Sequence, residues 1–220
     1  MGFFHQQVFS DPISSFPIPA RQSSFPKMNK LAQLRNIIAS LDETLVKAFC
    51  GRAVFKVNAE LYNELKRPLS IAETATLFGT ASTIAGRAHI MRPLYVNTLL
   101  PVLCEPGSDE DRRKCIAADS NCMNALVQRL NLSVHVAALK LEEIPEALRI
   151  PLQNRDAAQM EEAITNHTVE AEVIARILDM SHEQHASGAL PQRIARLYEA
   201  WIIPISRKIQ VHDLLAKHRY

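Results

Sequence analysis

A chain of 220 residues with 47% apolar and 22% charged side chains is long enough to bury one hydrophobic core and too apolar to be disordered. Its formal net charge of +2, with no Lys/Arg cluster interleaved with aromatics, argues against nucleic acid as a partner. No apolar run approaches the roughly eighteen residues of a membrane span, so no membrane partner is expected.

Residues 1–27 are rich in Pro, Ser and Gln and lack the basic start and continuous apolar core of a signal peptide. They read as an extended arm, such as processing leaves, followed by a single helical domain over 28–220. Leu31, Leu34, Ile38, Leu41, Leu45, Ala48 and Phe49 recur at intervals of three and four, predicting a first helix over about 28–65 that Pro68 stops. Ser70 and Glu73 form a candidate capping box for a second helix, whose continuation Gly79 and Gly86 weaken. A helical run over about 90–102 ends at Glu105, Pro106 and Gly107.

The long central helix is expected from near Asp111 to Ile144, with Pro145 and Pro151 breaking the chain after it. Asn154 or Asp156 could cap the next short helix, and another opens near Thr168. The last helix follows Gly188 and Pro191 and is bent by Pro204, just before Ser206. No segment alternates with period two between turn signals. The fold class is therefore all-α, a multi-helix bundle with long first, central and C-terminal helices.

Several polar residues interrupt these apolar stripes. Arg129 and Lys140 are eleven residues apart, which returns a helical side chain to within about 20° of its starting direction, three turns on. Such cations need anionic partners or a ligand, or else snorkel to water or pair with carboxylates of another helix. Arg35 lies inside the first stripe. Asn166 and Glu170, four apart, share a face if the helix has begun by Asn166; if Asn166 is the cap, its side chain serves the backbone instead. Ser206 and Gln210 are also four apart.

This set offers cations, one carboxylate, amides and a hydroxyl, with no nucleophile beside a base in sequence. His182 and His185 lack the companions of a metal motif, and Cys50, Cys104, Cys115 and Cys122 follow no metal-ligand spacing. Cys104 and Cys115 flank EPGSDEDRRK and could bridge it or remain thiols. The pattern is that of a cationic cage for a small polyanion, without covalent chemistry.

LAQLRNIIASLDETLVKAFCGRAVF, CMNALVQRLNLSVHVAALK, ITNHTVEAEVIARIL and RIARLYEAWIIPISRKIQVHDLL, in this order, resemble the all-helical chorismate mutases, and in particular their fungal and plant branch. The resemblance implies an isomerase that rearranges chorismate to prephenate without metal or cofactor. It implies that Arg35 and Arg129 grip substrate carboxylates, and that Lys140 contacts a carboxylate and the ether oxygen. Asn166 and Glu170 would hold the ring hydroxyl side, Ser206 would help with a carboxylate, and Gln210 would donate to the ether oxygen. Fungal relatives commonly carry Glu at this last position, where only the protonated acid can donate, so a weaker dependence on acidic pH is expected here.

Relatives of this kind form homodimers, and one is possible here. They also carry a longer insertion before the central helix, which builds a regulatory site. Only about 25 residues over 63–87 occupy that place, so aromatic amino acid regulation is not expected. These departures resemble secreted pathogen mutases acting as virulence effectors in a host cytoplasm. That form is favoured over a cytoplasmic enzyme of aromatic amino acid biosynthesis, with any signal peptide missing from this chain. The alternative is a catalytically inactive, mutase-like helical interaction protein. Sequons at Asn131 and Asn166 fall on expected buried helix, where glycosylation would contradict the assigned faces.

Overall fold

The computed structural model describes residues 30–62, 69–142, 144–184 and 188–218. The expected N-terminal arm lies outside them. The described residues contain helices and no strands, as the periodicity predicts. The helices are α1 (Lys30–Ala53), α2 (Ile71–Thr80), α3 (Ile84–Leu94), α4 (Leu100–Leu103), α5 (Arg112–Glu142), α6 (Glu146–Asn154), α7 (Ala157–Ile164), α8 (His167–Glu183), α9 (Leu190–Leu197) and α10 (Ile203–Lys217).

α1 and α5 form the spine. Asp42 and Arg52 are ten residues apart on α1, as are Asp119 and Arg129 on α5. The two sets pair crosswise, Arg129 with Asp42 at 2.5 Å and Arg52 with Asp119 at 2.6 Å, so the helices run antiparallel. Leu45, Val46 and Phe49 of α1 and Leu126 and Leu130 of α5 are fully buried with Ile177 of α8, Ile194 of α9 and Ile205 and Ile209 of α10. Truncating any of the larger ones to alanine would cost about 2–5 kcal/mol. A smaller apolar cluster joins Ala137 on α5 to Leu148 and Leu152 on α6, Met160 on α7 and Val211 and Leu214 on α10.

The first helix ends at Ala53, earlier than the apolar periodicity predicts. Arg52 is fully buried there, and besides Asp119 it donates to the carbonyls of Lys56 at 2.9 Å and Val57 at 3.2 Å. Those carbonyls are within reach only if the chain leaves the helix. Asn58 completes the turn at φ 55, a left-handed conformation that asparagine tolerates better than most residues. The next helical run starts earlier than expected, at Ile84, because the Thr83 side chain accepts from the Gly86 amide as an N-cap.

Caps elsewhere follow the sequence. Ser70 and Glu73 make the reciprocal capping box of α2, and Asp156, rather than Asn154, caps α7. Pro151 does not break the chain but lies inside α6. Two five-residue π-turns join α3 to α4 (Tyr95–Leu99) and α9 to α10 (Tyr198–Ile202). Each precedes a proline, Pro101 or Pro204, which has no N–H to give the ladder. The widened turn carries the helix past that missing donor without a break. At Gly79 an added Cβ would lie 2.4 Å from His212 Nδ1, so glycine lets α2 approach α10 closely.

Candidate active site

A cavity of about 410 Å³ opens among α1, α5, α8 and α10. Its lining includes Arg35, Arg129, Lys140, Asn166, Glu170, Ser206 and Gln210, so the packing brings all of the sequence-selected polar residues together. Leu34, Ile38, Val136, Val169 and Ile203 supply apolar wall. α5 contributes Arg129, Ser133, Val136 and Lys140 from one face, as the eleven-residue spacing requires.

Arg129 is 6% exposed, and its Nε donates to Asp42 Oδ1 at 2.5 Å. The alternative of a carboxylate on another helix therefore applies in part. Asp42 is its only hydrogen-bond partner among the described residues, which leaves the terminal nitrogens for a ligand. The second oxygen of Asp42 accepts from Arg176 Nη2 at 2.9 Å, drawing another cation to the cavity wall.

Lys140 has no carboxylate partner among the described residues; its Nζ donates to Gln210 Oε1 at 3.1 Å. Burial pushes its pKa down to about 8. Gln210 Nε2 in turn makes a long contact, 3.4 Å, to the Ser206 carbonyl, so its second N–H remains for a ligand. The hydroxyls of Ser133 and Ser206 are 2.6 Å apart; one donates to the other. Arg35, exposed at the mouth, has no carboxylate partner among the described residues either.

For Asn166 the capping arrangement holds, and the shared-face pairing with Glu170 is corrected. Asn166 is the N-cap of α8 in extended backbone, and its side-chain oxygen accepts from the Val169 amide at 3.1 Å. The first four amides of a helix have no intrahelical acceptor, so the cap takes precedence over a ligand for that oxygen. Asn166 still lines the cavity. Glu170, in the first turn of α8, accepts from Arg207 Nη1 at 2.8 Å.

Sequence reasoning missed Asp42, Ser133, Arg176 and Arg207. Ser133 stands one turn beyond Arg129, and Arg207 is adjacent to Ser206, so both carried a positional signal. Asp42 followed Leu41 in a buried stripe, which is also a warning. All four cysteines are thiols: Arg52 donates to Cys104 Sγ and Asn58 to Cys115 Sγ, and no bridge crosses the 105–114 loop. Burial raises Cys104 and Cys122 to about 12, which suits inert packing and not nucleophilic chemistry. Of the two sequons, Asn131 is half-buried and accepts from Arg87, while Asn166 is exposed, contrary to the expected burial.

Among the described residues, long helices pack around a cation-lined cavity in an all-helical scaffold. Residues 112–211, from α5 into α10, match the model of the family described as chorismate mutase type II. Among curated relatives, chorismate mutase 3, chloroplastic, of Arabidopsis thaliana is 29% identical over 138 residues, covering 56% of this chain and 44% of its own length. The chorismate mutase of Pichia angusta is 26% identical over 137 residues, covering 56% of this chain and 49% of its own. The chain thus spans about half the length of these relatives.

The fold resembles the chloroplast chorismate mutase from Zea mays with a TM-score of 0.68 at 23% identity, over 84% of this chain and 94% of that one. It also resembles the chorismate mutase from Candida albicans, solved with L-Trp, with a TM-score of 0.69 at 19% identity, over 85% and 91%.

Proposed function

We propose that the chain catalyses the rearrangement of chorismate to prephenate in the cavity between α5 and α10. The observation that carries this reading is the Lys140–Gln210 contact: a half-buried ammonium with no carboxylate partner among the described residues, 3.1 Å from a carboxamide. A desolvated cation beside an amide suits an oxygen that gains negative charge as its bond breaks. Arg35 and the free edge of Arg129 hold the two carboxylates, with the Ser133–Ser206 hydroxyl pair beside them, and thereby fold the enolpyruvyl arm over the ring. Lys140 and Gln210 then stabilise the ether oxygen more strongly in the transition state than in the ground state. Glu170 accepts from the ring hydroxyl, with the Asn166 amide next to it.

The enzyme is further proposed to work without control by aromatic amino acids. The stretch over 63–87 is short, and its described part holds only α2 and the start of α3. Four thiols also remove the disulfide argument for an oxidising compartment.

The test is loss of chorismate absorbance with purified protein. Turnover should fall by about two to three orders of magnitude in Lys140→Ala and Arg129→Ala, as for loss of an oxyanion donor. An inactive wild type, or unchanged rates in both variants, would leave the helical interaction protein as the better reading. A changed rate or half-saturation on adding tyrosine or tryptophan would overturn the unregulated form.

A further inference from the structure

We propose that Arg207 is a positioning residue that clamps the Glu170 carboxylate between α8 and α10, so that Glu170 presents its remaining oxygen to a ligand hydroxyl. This deepens the chorismate mutase reading and rests on it. Arg207 follows Ser206 on α10 and lines the cavity, yet its charge is already engaged. Its Nη1 donates to Glu170 Oε1 at 2.8 Å, and its Nε lies 3.3 Å from Glu161 Oε1, an ion-pair contact without hydrogen-bond geometry. Lys208 Nζ donates to the other Glu161 oxygen at 2.5 Å. One guanidinium thus ties the end of α7, the start of α8 and the middle of α10 together at the cavity rim.

The clamp has two chemical consequences. Arg207 faces two carboxylates, so it is not available as a further anion subsite. Arg35 and Lys140, which have no carboxylate partner among the described residues, and the free edge of Arg129 stand on α1 and α5, whereas Glu170 stands on α8. The cavity acquires a carboxylate-binding end and a hydroxyl-binding end, and a dianion that also carries a ring hydroxyl fits in one orientation.

The second consequence concerns Glu170 itself. In the first turn of α8 its carboxylate is drawn toward the helix amides by the dipole. A partner that occupies Oε1 holds it off that backbone. Oε2 lies 3.8 Å from His167 Nδ1, beyond hydrogen-bond range. A carboxylate oxygen only accepts, so the group it awaits is a donor. With side chains only 20% and 26% exposed, the Arg207–Glu170 pair is less screened than a surface bridge.

The test is a double-mutant cycle on chorismate turnover, with Arg207→Met, Glu170→Ala and the double variant, plus Arg207→Lys. Arg207→Met should lower kcat/KM about tenfold to hundredfold, the worth of a charged hydrogen bond, and Arg207→Lys should restore most of that loss. In the Glu170→Ala background, Arg207→Met should add less than about twofold. Losses that multiply across the cycle, or no rescue by Lys, would assign Arg207 a purely structural role and overturn the proposal. If Arg207→Met fails to fold by circular dichroism, Glu161→Gln replaces it in the cycle, with the same non-additivity expected and the same additive outcome fatal. An inactive wild type brings down the mutase reading and this inference together, whereas an active wild type with an additive cycle defeats the clamp alone.

Discussion

Asp42 Oδ1 accepts from Arg129 Nε at 2.5 Å while Asp42 Oδ2 accepts from Arg176 at 2.9 Å, so one fully buried carboxylate serves two cavity arginines. Its counterpart at the other end of the α1–α5 pair, Asp119 with Arg52, has the same residue types, but there backbone carbonyls and a thiol consume the guanidinium. Arg129 lines the cavity instead, and Asp42 is its only hydrogen-bond partner among the described residues. Neutralising Asp42 by Asp42→Asn should therefore cost about 3–5 kcal/mol of stability in urea unfolding, as expected for breaking a buried pair. It should also lower kcat/KM at least about tenfold, since Arg129 loses its orientation. Unchanged unfolding midpoint and kinetics would show that Asp42 holds neither arginine.

Lys140 sets a pH limit. Its folded pKa, lowered to about 8 by burial, means that the ammonium is present below that value and lost above it. kcat/KM should be flat from pH 6 to 7.5 and fall about tenfold per pH unit well above 8. Bound dianion favours the ammonium, so the limb in kcat should move to higher pH than the limb in kcat/KM. Lys140→Arg, whose charge persists, should lose the limb while turning over more slowly. A limb that survives in that variant would belong to another group.

The same burial predicts a stability effect of opposite sense. Because Lys140 titrates lower in the folded chain than in the unfolded one, the unfolded state binds more protons across the window from about 8 to 10.5, and stability rises with pH there. Lys140→Met should be inactive yet more stable at pH 7, by roughly 1–3 kcal/mol. Thermal melts of the two proteins between pH 7 and 10 check this; the difference should shrink as pH rises.

Gln210 carries a donor that pH cannot remove. In Gln210→Glu the new carboxylate would face Lys140, 3.1 Å from the present amide oxygen, and the pair would hold it ionised. Turnover at pH 8 should fall about a hundredfold or more and recover only as pH falls below about 4, the ordinary carboxylate range, where the acid regains its proton. A pH–rate profile in the variant parallel to the wild type would refute a donor role for Gln210.

Packing offers an independent check on the fold. Gly79→Ala would place a methyl 2.4 Å from His212 Nδ1 and should destabilise by about 1–3 kcal/mol. Gly79→Ala combined with His212→Ala should recover part of that loss, and failure to recover any would place the strain elsewhere.

The helices themselves were legible because intervals of three and four apolar residues are a property of a single rod. The face shared by Arg129 and Lys140 was legible for the same reason, as were the caps at Ser70 and Asp156, where a side chain serves amides within three residues. The end of α1 was not, because apolar periodicity continued beyond Ala53 while Arg52 recruited carbonyls and a carboxylate from elsewhere. Nor were the partners of the site. Asp42 reaches Arg129 across 87 residues and Arg176 across 134, and Glu170 meets Arg207 across 37. Sequence alone determined that Arg129 and Lys140 break the apolar stripe of the central helix and stand on one face of it. Only tertiary packing decided which cations are compensated and which stay open, because charge balance in a desolvated cavity is set by neighbours in space.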